Sequence, residues 1–363
     1  MNMDRLERIL ASMKEKEIPQ LLISDSVVMY YLTGVKVNAG ERLMAILLKE
    51  DGGHKLFVNE LFPQGNEMYF EPVWYNDIQD GVEILNAYVD QGKPIAIDKN
   101  WPARFLLRLQ ELNPSSRYVN SSQIIDYVRM IKGEDEQELM IASSMTNDQV
   151  MGRLIPLVNQ GYDELQLNAM CRQLYKEAGC EGVSFDPITS YGVNGADPHH
   201  EADHTLGKYG EGVVLDIGGM KNGYASDMTR TVFLGEVSDR QREIYNIVLE
   251  ANLRGIAAAK PGNRMCDVDL AARNYIEEKG FGKYFTHRTG HSIGLEDHEF
   301  GDVSSVNTDV IKVGQCFSVE PGIYIPEEEI GVRIEDLVLI TEDGCKVLND
   351  FTKEIIILPY ERQ

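Results

Sequence analysis

Hydrophobic and polar positions along residues 1–130 alternate between helical and strand periods. LERILASMKEK and ARFLLRLQEL repeat apolar residues at helical spacing, and VEILNAYV predicts a further helix. LLIS, LMAILLK and IAID are short apolar runs of the kind that form buried strands. Helices and strands that alternate in this way predict an α/β domain built around a sheet.

Residues 131–363 predict a second domain of a different class. One long helical pattern begins near residue 134 with acidic residues in its first turn, where the helix dipole favours them, and another ends at Gly179. Two more helices are predicted at about 239–259 and 266–279, and most of the remaining chain predicts strands. We therefore expect an α+β domain whose helices cover a curved, largely antiparallel sheet.

Length and composition fit two globular domains of this kind. A chain of 363 residues allows two cores, and 43% hydrophobic with 26% charged residues is ordinary for a soluble protein. No linker rich in Gly, Pro or Ser marks the boundary, which falls within 125–135. No apolar run long enough to span a membrane is found, and MNMDRLERILASMKEKEIPQ lacks the apolar centre of a signal peptide, so the cytoplasm is the expected location.

Charge and cysteine content exclude several classes of partner and site. The chain carries 35 basic and 58 acidic residues, a net charge of −23, which argues against nucleic acid or an anionic membrane as a partner. Its five cysteines are an odd number and form no CxxC. We expect reduced thiols that pack as small hydrophobic groups, with neither a disulfide framework nor a zinc cluster.

The candidate chemistry begins in VVLDIGGMKNGYASDMTRTVFLG, which predicts two strands around a Lys221-Asn222-Gly223 turn. A loop centred between Lys221 and Asn222 would place Asp216 directly opposite Asp227. A loop centred on Asn-Gly would shift the pair by two residues and keep both on one face, because the side-chain period of a strand is two.

A second acidic pair lies in CFSVEPGIYIPEEEIGVRIEDLVLI. Glu320 and Glu335 are symmetric about the Glu327/Glu328 junction and can therefore face each other across a hairpin. Like charges opposite each other destabilise a strand pair, and burial within apolar runs is costly for an unpaired carboxylate. Any one of these acids could be an ordinary surface or salt-bridged group, but the two pairs together predict bound cations.

Six of the seven histidines lie between residues 199 and 298, close in sequence to these hairpins. Three are in GADPHHEADH and three, including His291, are in THRTGHSIGLEDHE. A single histidine is more often a surface or core group than a ligand, but this concentration favours a role in the site. Gly290 and Gly294 flank His291 and would permit a close approach of the backbone.

Several segments together resemble the signatures of the pita-bread metallopeptidases: LDIG, SDMTRT, GHSIGLEDHE, VEPGIYI and GVRIED. That group includes Xaa-Pro dipeptidase (prolidase), Xaa-Pro aminopeptidase, methionine aminopeptidase and the metal-free relative creatinase. MYYLTG and VRMIKGEDEQEL also resemble the prolidase branch, and the chain looks closest to compact bacterial Xaa-Pro dipeptidases. The resemblance implies a creatinase/prolidase-type α/β domain over 1–130 and an α+β pita-bread catalytic domain over 131–363.

The resemblance also assigns a role to each matching residue. The metal ligands would be Asp216 on one ion, His291 and Glu320 on the other, and Asp227 and Glu335 as bridges between the two. The catalytic residues would be His199, His298 and Glu320. Residues beside the substrate or behind the ligands would be His287, Tyr324 and Arg333.

The function implied is that of a dinuclear exopeptidase that cleaves the Xaa-Pro bond of small peptides, foremost a Xaa-Pro dipeptidase. A Xaa-Pro aminopeptidase of longer peptides and a creatinase-like small-amide hydrolase are the alternatives, although all five ligands are present and argue against metal-free chemistry. The oxygen-rich ligand set favours two Mn²⁺ ions, with Co²⁺, Zn²⁺ or Fe²⁺ as alternatives. A homodimer is expected by resemblance alone.

Two departures from the family pattern leave the peptide specificity open. HEFGDVSSVNTDV lacks the proline that often follows the HE of the histidine motif. No arginine occurs from residue 289 to 332, where larger prolidases carry one that holds the carboxylate of a dipeptide. Peptide length, strictness for proline and metal identity are therefore not decided by the sequence.

Overall fold

The structure, a computed structural model, describes residues 1–198 and 200–360. The chain divides into two compact units, Met1–Arg129 and Met130 onward. Among the described helices, none combines the length and the apolar composition needed to cross a lipid bilayer.

The first unit is built on a mixed six-stranded sheet with the order β4-β3-β2-β1-β5-β6. Its strands are β1 (Gln20–Ile23), β2 (Ala45–Lys49), β3 (Lys55–Asn59), β4 (Glu71–Tyr75), β5 (Ile95–Ile97) and β6 (Tyr118–Asn120). Its helices are α1 (Met3–Glu15), α2 (Ser26–Thr33), α3 (Gly81–Asn86), α4 (Ala103–Leu112) and α5 (Ser122–Met130), with a 3₁₀ turn at Pro63–Glu67. Strand β1 pairs antiparallel with β2 and parallel with β5, so the expected α/β class is confirmed.

The second unit contains four longer helices and several small sheets. The helices are α6 (Glu134–Leu154), α7 (Glu164–Glu177), α8 (Asp239–Ala258) and α9 (Met265–Glu278), with 3₁₀ turns at Ile155–Leu157, Gly192–Ala196, Gly282–Tyr284 and Pro326–Glu328. The strands are β7 (Gly182–Val183), β8 (Ile188–Tyr191), β9 (Gly212–Ile217), β10 (Gly219–Lys221), β11 (Tyr224–Ala225), β12 (Met228–Leu234), β13 (Gly290–Ser292), β14 (Glu299–Val303), β15 (Cys316–Val319), β16 (Gly322–Ile325), β17 (Ile330–Arg333), β18 (Asp336–Thr341), β19 (Gly344–Val347) and β20 (Ile356–Leu358).

The strand pairings of this unit are antiparallel except that β12 runs parallel to β20. The two main sheets have the orders β20-β12-β9-β8 and β14-β13-β15-β18-β19. One apolar core packs α6 and α7 against β9 and β12, and another packs α8 and α9 against β16 and β17. The helices thus cover a largely antiparallel sheet system, as the sequence predicts.

Helix α6 supports the first acidic hairpin from behind. The Ser143 hydroxyl donates to the carbonyl oxygen of Tyr224 over 3.0 Å, and Nδ2 of Asn147 donates to that of Ile217 over 3.0 Å. Both side chains are buried, so these bonds satisfy carbonyls where β9 and β11 leave the regular ladder. The helix therefore fixes the backbone on either side of Asp216 and Asp227.

Candidate metal centre and active site

The first acidic pair is carried by the hairpin β9–β12. Lys221 pairs with Tyr224, so Asn222 and Gly223 form the turn, with φ of +51° and +81°. Positive φ at both positions is the geometry that a tight Asn-Gly hairpin requires. Of the two registers left open by the sequence, the one centred on Asn-Gly is found: Asp216 lies opposite Thr229, two residues from Asp227.

The second acidic pair lies in a long hairpin, at the junction between the strand pair β16–β17 and the strand pair β15–β18. Gly322 pairs with Arg333 and Val319 pairs with Asp336, so a single register runs through both ladders. In that register Glu320 and Glu335 occupy opposite positions, as predicted from the symmetry of the sequence. Glu335 is 1% exposed, and its backbone N–H donates to the Thr229 carbonyl oxygen over 3.1 Å, which joins the second hairpin to the first.

His291 reaches the same point from β13. A Cβ on Gly290 would lie 1.9 Å from the carbonyl oxygen of Ser318, so only glycine allows β13 to approach β15 this closely. The His291 backbone N–H then donates to the Ser318 hydroxyl over 3.0 Å, and that hydroxyl donates to Oε1 of Glu320 over 3.2 Å. Ser318 therefore orients two of the expected ligands at once.

The imidazole of His291 presents a lone pair to two carboxylates. Its Nδ1 lies 3.2 Å from the carbonyl oxygen of Ser292, an acceptor, which places the ring proton on Nδ1. Nε2 is then unprotonated and lies 3.5 Å from Oδ2 of Asp227 and 3.6 Å from Oε1 of Glu320. Burial lowers the pKa of His291 to about 4, which keeps the ring neutral. The lone pair on Nε2 of His291 therefore faces two carboxylate oxygens, and this arrangement is unfavourable unless a cation lies between them.

Three carboxylate oxygens of the cluster also lack a hydrogen-bonding partner among the described residues. Oδ1 of Asp216, Oδ1 of Asp227 and Oε1 of Glu335 are buried and have no hydrogen-bond partner. Burial raises the pKa of Asp227 and of Glu335 well above the usual range, and neighbouring carboxylates raise both further. One potential ligand atom each from Asp227, His291 and Glu335 lies within 4.8 Å of the others. The residues therefore fit divalent cations, whose charge would satisfy the orphaned oxygens.

Arg333 links the ligand cluster to residues behind it. Its Nη2 donates to Oδ2 of Asp216 over 2.7 Å, and its Nε donates to the Thr229 hydroxyl over 3.1 Å. That hydroxyl donates in turn to Oε2 of Glu335 over 2.7 Å. One buried guanidinium thus orients Asp216 directly and Glu335 through Thr229.

Tyr324 and His287 extend the same network. Nη1 of Arg333 donates to the Tyr324 hydroxyl over 2.8 Å, so that hydroxyl is free to donate to Nε2 of His287 over 2.9 Å. Nδ1 of His287 lies 2.7 Å from the carbonyl oxygen of Arg288, which places its proton there. Burial lowers the pKa of His287 and raises that of Tyr324 to about 12, so both groups are neutral.

A cavity of about 430 Å³ opens onto the ligand cluster. Nine of its twelve lining residues are polar or charged: Asp216, Asp227, His287, Arg288, His291, Asp297, His298, Glu320 and Arg333. The remaining wall is apolar and consists of Phe185, Ile188 and Pro198. The cavity therefore offers a charged floor and an apolar side to one small molecule.

His298 is at the accessible side of this cavity. Its ring centroid is 3.9 Å from that of His291, and 61% of its side chain is exposed. Nη2 of Arg288 lies 3.4 Å from its Nδ1, which makes Nδ1 the acceptor and leaves the proton on Nε2. Nε2, which lies 3.5 Å from Oδ2 of Asp297, therefore carries an N–H group at the wall of the cavity.

The structure brings together Asp216, Asp227, His287, His291, His298, Glu320, Arg333 and Glu335. Tyr324 touches this group through its hydroxyl and lines a second cavity of about 600 Å³ that shares Pro198 with the first. His199, a predicted catalytic residue, lies outside the described residues.

Several members of the site were missed in the sequence. Arg288 and Asp297 each stand next to a predicted histidine, and Thr229 stands two residues after Asp227, but neighbours of this kind are not distinctive by themselves. The apolar residues Phe185 and Ile188 carried no signal, because an apolar side chain in a short strand region predicts core.

Comparison with known proteins agrees with this geometry. Residues 138–342 match metallopeptidase family M24, and residues 5–131 match the creatinase/prolidase N-terminal domain. An uncharacterised peptidase of Staphylococcus aureus strain MW2 is 34% identical over 362 residues, which cover 97% of this chain and 100% of the relative.

Solved structures give the same answer. A dipeptidase from Pyrococcus horikoshii OT3 has a TM-score of 0.92 at 32% identity, with 98% of this chain and 100% of that chain covered. An Xaa-Pro dipeptidase from Bacillus anthracis has a TM-score of 0.89 at 29% identity, with 98% and 99% covered. These matches confirm the two-domain pita-bread architecture expected from the sequence. The chain is a metallopeptidase and belongs to family M24, whose metallopeptidases depend on a pair of metal ions, with an amino-terminal domain of the creatinase/prolidase type.

Proposed function

We propose that this protein is a Xaa-Pro dipeptidase that removes the amino-terminal residue from Xaa-Pro substrates. The observation that carries the proposal is the cavity, in which the expected ligands Asp216, Asp227, His291 and Glu320 lie beside an apolar wall of Phe185, Ile188 and Pro198. The ligand cluster supports hydrolysis of an amide, and the apolar wall suits a pyrrolidine ring. The similar dipeptidase from P. horikoshii supports dipeptides as substrates, and the similar Xaa-Pro dipeptidase from B. anthracis supports cleavage before proline.

The five expected ligands are proposed to hold two divalent cations: Asp216, Asp227, His291, Glu320 and Glu335. Oxygen donors dominate this set, which favours Mn²⁺ over softer metals, with Co²⁺, Zn²⁺ and Fe²⁺ as alternatives. The cations would supply Lewis acidity that activates water at neutral pH and polarises the scissile carbonyl.

The protein's own side chains would then move the proton and bind the developing charge. Glu320 would accept a proton from the attacking water and deliver it to the leaving imino nitrogen of proline. His298, with its proton on Nε2, would donate to the carbonyl oxygen as negative charge develops there. His199 receives the same role by resemblance alone.

An aminopeptidase that acts on longer Xaa-Pro peptides is the second candidate. The second cavity supports it, because it shares Pro198 with the first and could hold residues that follow proline. We also propose a homodimer, by resemblance, and a cytoplasmic location, which agrees with five free cysteines. Light scattering during gel filtration tests the first of these.

Purified protein, depleted of metal with chelator and reloaded with Mn²⁺, should be assayed on Ala-Pro, Ala-Pro-Ala and Ala-Ala. We expect Mn²⁺-dependent release of alanine from Ala-Pro and little or none from Ala-Ala. Equal rates on Ala-Ala would refute proline specificity and leave the metal site standing. Faster cleavage of Ala-Pro-Ala than of Ala-Pro would favour the aminopeptidase.

A further inference from the structure

A buried ion pair supports the loop that carries His298. Nζ of Lys132 lies 2.8 Å from Oε2 of Glu299, and only 1% and 6% of the two side chains are exposed. Neither residue is among those that line the active-site cavity. A lysine that is buried to this degree needs a partner, and removal of either partner leaves an uncompensated charge inside the protein. Each charge therefore holds the other in place.

Glu299 closes the loop between β13 and β14. Its Oε1 accepts from the Leu295 backbone N–H over 2.9 Å, so the residues between them, His298 included, form a short arc whose ends are joined. A Cβ on Gly294 would lie 2.7 Å from Oε1 of Glu299, and glycine thus leaves room for the carboxylate to reach back. The Gly294 carbonyl oxygen also accepts from the Ala225 backbone N–H over 2.8 Å. The start of the loop is therefore tied to the first acidic hairpin and its end to Glu299.

The strand register does not fix this loop by itself. His291 pairs with Asp302. Its neighbour Ser292 pairs with Glu299, so the register between β13 and β14 shifts at this point. His298 is the last residue before β14, and its side chain is 61% exposed. Packing restrains the imidazole only in part, and its position depends on the backbone that Glu299 holds.

Lys132 is itself held at a fixed point. Its backbone N–H donates to the Gly314 carbonyl oxygen over 2.8 Å, and its own carbonyl oxygen accepts from Nε2 of Gln137 over 2.9 Å. Gln137 lies in α6, and Gly314 precedes β15, the strand that carries Ser318. The ammonium group thus reaches Glu299 from a backbone that is anchored to α6 on one side and to the segment before β15 on the other.

We propose that Lys132 is a positioning residue for the reaction, which holds His298 through Glu299 where the imidazole can donate to the scissile carbonyl. The inference rests on the proposed function, in which His298 binds the developing negative charge. Loss of the ammonium would leave the Glu299 carboxylate buried without a counter-charge, so it would turn from Leu295 toward water or take up a proton. Either change releases the end of the loop, and a displacement of about 1 Å at a reacting group can cost about 100-fold in rate.

A rival role for the ion pair is to stabilise the fold without any effect on His298. Both roles predict that Lys132→Met lowers the melting temperature, because a buried pair is broken. Only the positioning role predicts a lower kcat in fully folded protein, and only while the His298 imidazole is present. The same substitution made with and without His298→Ala therefore separates the two roles.

The test compares wild type, Lys132→Met, His298→Ala and the combination of both substitutions on Ala-Pro with Mn²⁺, at a temperature where all four are folded. We expect Lys132→Met to lower kcat by about 10- to 100-fold, with KM and Mn²⁺ affinity changed by less than about threefold. In the His298→Ala background it should lower kcat by less than about threefold, because the imidazole that it displaces is already absent. Amide hydrogen exchange at Leu295 should be at least about tenfold faster in Lys132→Met, since its acceptor is released.

Lys99→Met is the matched control, because Nζ of Lys99 pairs with the buried carboxylate of Asp126 over 3.0 Å in the first unit. It should lower the melting temperature and leave kcat unchanged. If Lys132→Met alone does not fold, Lys132→Met/Glu299→Gln removes both charges together and avoids an unpaired buried charge. This charge-free variant should regain most of the melting temperature and still have a kcat at least about fivefold below wild type, because no ammonium holds side chain 299.

The other outcomes contradict the proposal in distinguishable ways. Equal losses of kcat with and without the His298 imidazole, unchanged exchange at Leu295, or a wild-type kcat in the charge-free variant would overturn the positioning role while the Xaa-Pro activity stood. A wild-type enzyme that did not cleave Ala-Pro would overturn the proposed function and this inference with it.

Discussion

Arg333 donates from Nη2 to Oδ2 of Asp216 across 2.7 Å, and only 4% and 12% of the two side chains are exposed. The same guanidinium binds Thr229, which binds Glu335. A single side chain therefore sets the direction of two expected metal ligands. The planar fork of arginine makes these bonds simultaneously, which an ammonium group on a flexible stem does not reproduce.

Replacing Arg333 with lysine should weaken metal binding while preserving the charge. We expect a 10- to 100-fold loss of Mn²⁺ affinity and of kcat/KM, the usual cost of removing a residue that orients metal ligands. Titration of the metal-free protein with Mn²⁺ measures the first effect directly. Arg240→Lys is the control, because Arg240 pairs with Glu328 at the surface and, among the described residues, shares no hydrogen bond with this network. Wild-type Mn²⁺ affinity in Arg333→Lys would contradict the orienting role.

The hairpins show how much of the site the sequence predicts. The register that opposes Glu320 and Glu335 follows from local symmetry, because a hairpin pairs residues equidistant from its turn. The choice between two registers at Asp216 depended on which residues tolerate positive φ, and Asn222 and Gly223 do so best. Hairpin registers that depend on the residues of the turn can therefore be predicted from a single sequence.

Contacts between segments that are distant in sequence cannot be predicted from local residues in this way. Ser318 bridges His291 and Glu320 only because β13 pairs with β15. In the first unit, β4 was missed because EPVWY is short and contains a proline. The sheet tolerates that proline because β4 is an edge strand, a position that only the tertiary pairing defines.

Asp227→Asn should abolish metal-dependent turnover and, at the same time, stabilise the metal-free protein. Asp227 is 4% exposed, its Oδ1 has no partner, and burial and Glu335 raise its pKa well above the usual range. A neutral amide removes this unfavourable charge, so the melting temperature in chelator should rise by about 2–6 °C. The extra stabilisation that Mn²⁺ gives wild type should be lost.

Melting curves with chelator and with Mn²⁺ test this pair of effects. Asp186→Asn is the control, since Asp186 is 90% exposed and pairs with Arg172 at the surface. Normal activity and full metal content in Asp227→Asn would show that Asp227 is not a ligand. A lower melting temperature of Asp227→Asn in chelator would show that other protein groups already stabilise the Asp227 carboxylate when no metal is bound.

The metal-free protein should also lose stability as the pH rises from about 6.5 to 8. Burial, followed by the charges of Asp216 and Glu320, raises the pKa of Asp297 to about 8. An acid with a raised pKa in the folded state contributes stability below its unfolded pKa, near 4, and loses it as the pH rises through the folded value. His291 has the opposite effect: because its pKa is lowered to about 4, its contribution to stability increases as the pH rises to 6.5. The effect of Asp297 is therefore observed without this opposing effect above pH 6.5.

The expected decrease in melting temperature between pH 6.5 and 8 in chelator is about 2–5 °C beyond that of Asp297→Asn. The net charges of the two proteins differ by at most one unit, so the comparison removes the general effect of net charge on stability. Bound Mn²⁺ should reduce the difference, because added positive charge favours the ionised form of Asp297. Parallel pH curves for wild type and Asp297→Asn would contradict the assignment.

Glu164 anchors the loop that follows β8 and leads to the cavity. Its side chain is fully buried, and Oε1 accepts from the Tyr191 backbone N–H over 2.9 Å and from Nδ2 of Asn194 over 3.0 Å. Oε2 accepts from Nε2 of His200 over 2.7 Å and from the Asp203 backbone N–H over 3.1 Å. Four donors therefore converge on one carboxylate, and a glutamine amide would oppose at least one of them with an N–H group.

We expect Glu164→Gln to destabilise the protein by roughly 1–3 kcal/mol, the cost of leaving buried donors unsatisfied. Because Pro198 of this loop lines the cavity, KM for Ala-Pro should rise more than kcat falls. Limited proteolysis should show faster cleavage within residues 192–205 than in wild type. Glu177→Gln, on the same helix α7 but 44% exposed, is the control and should behave as wild type. Unchanged proteolysis of this segment together with an unchanged KM would mean that Glu164 stabilises α7 without holding the loop.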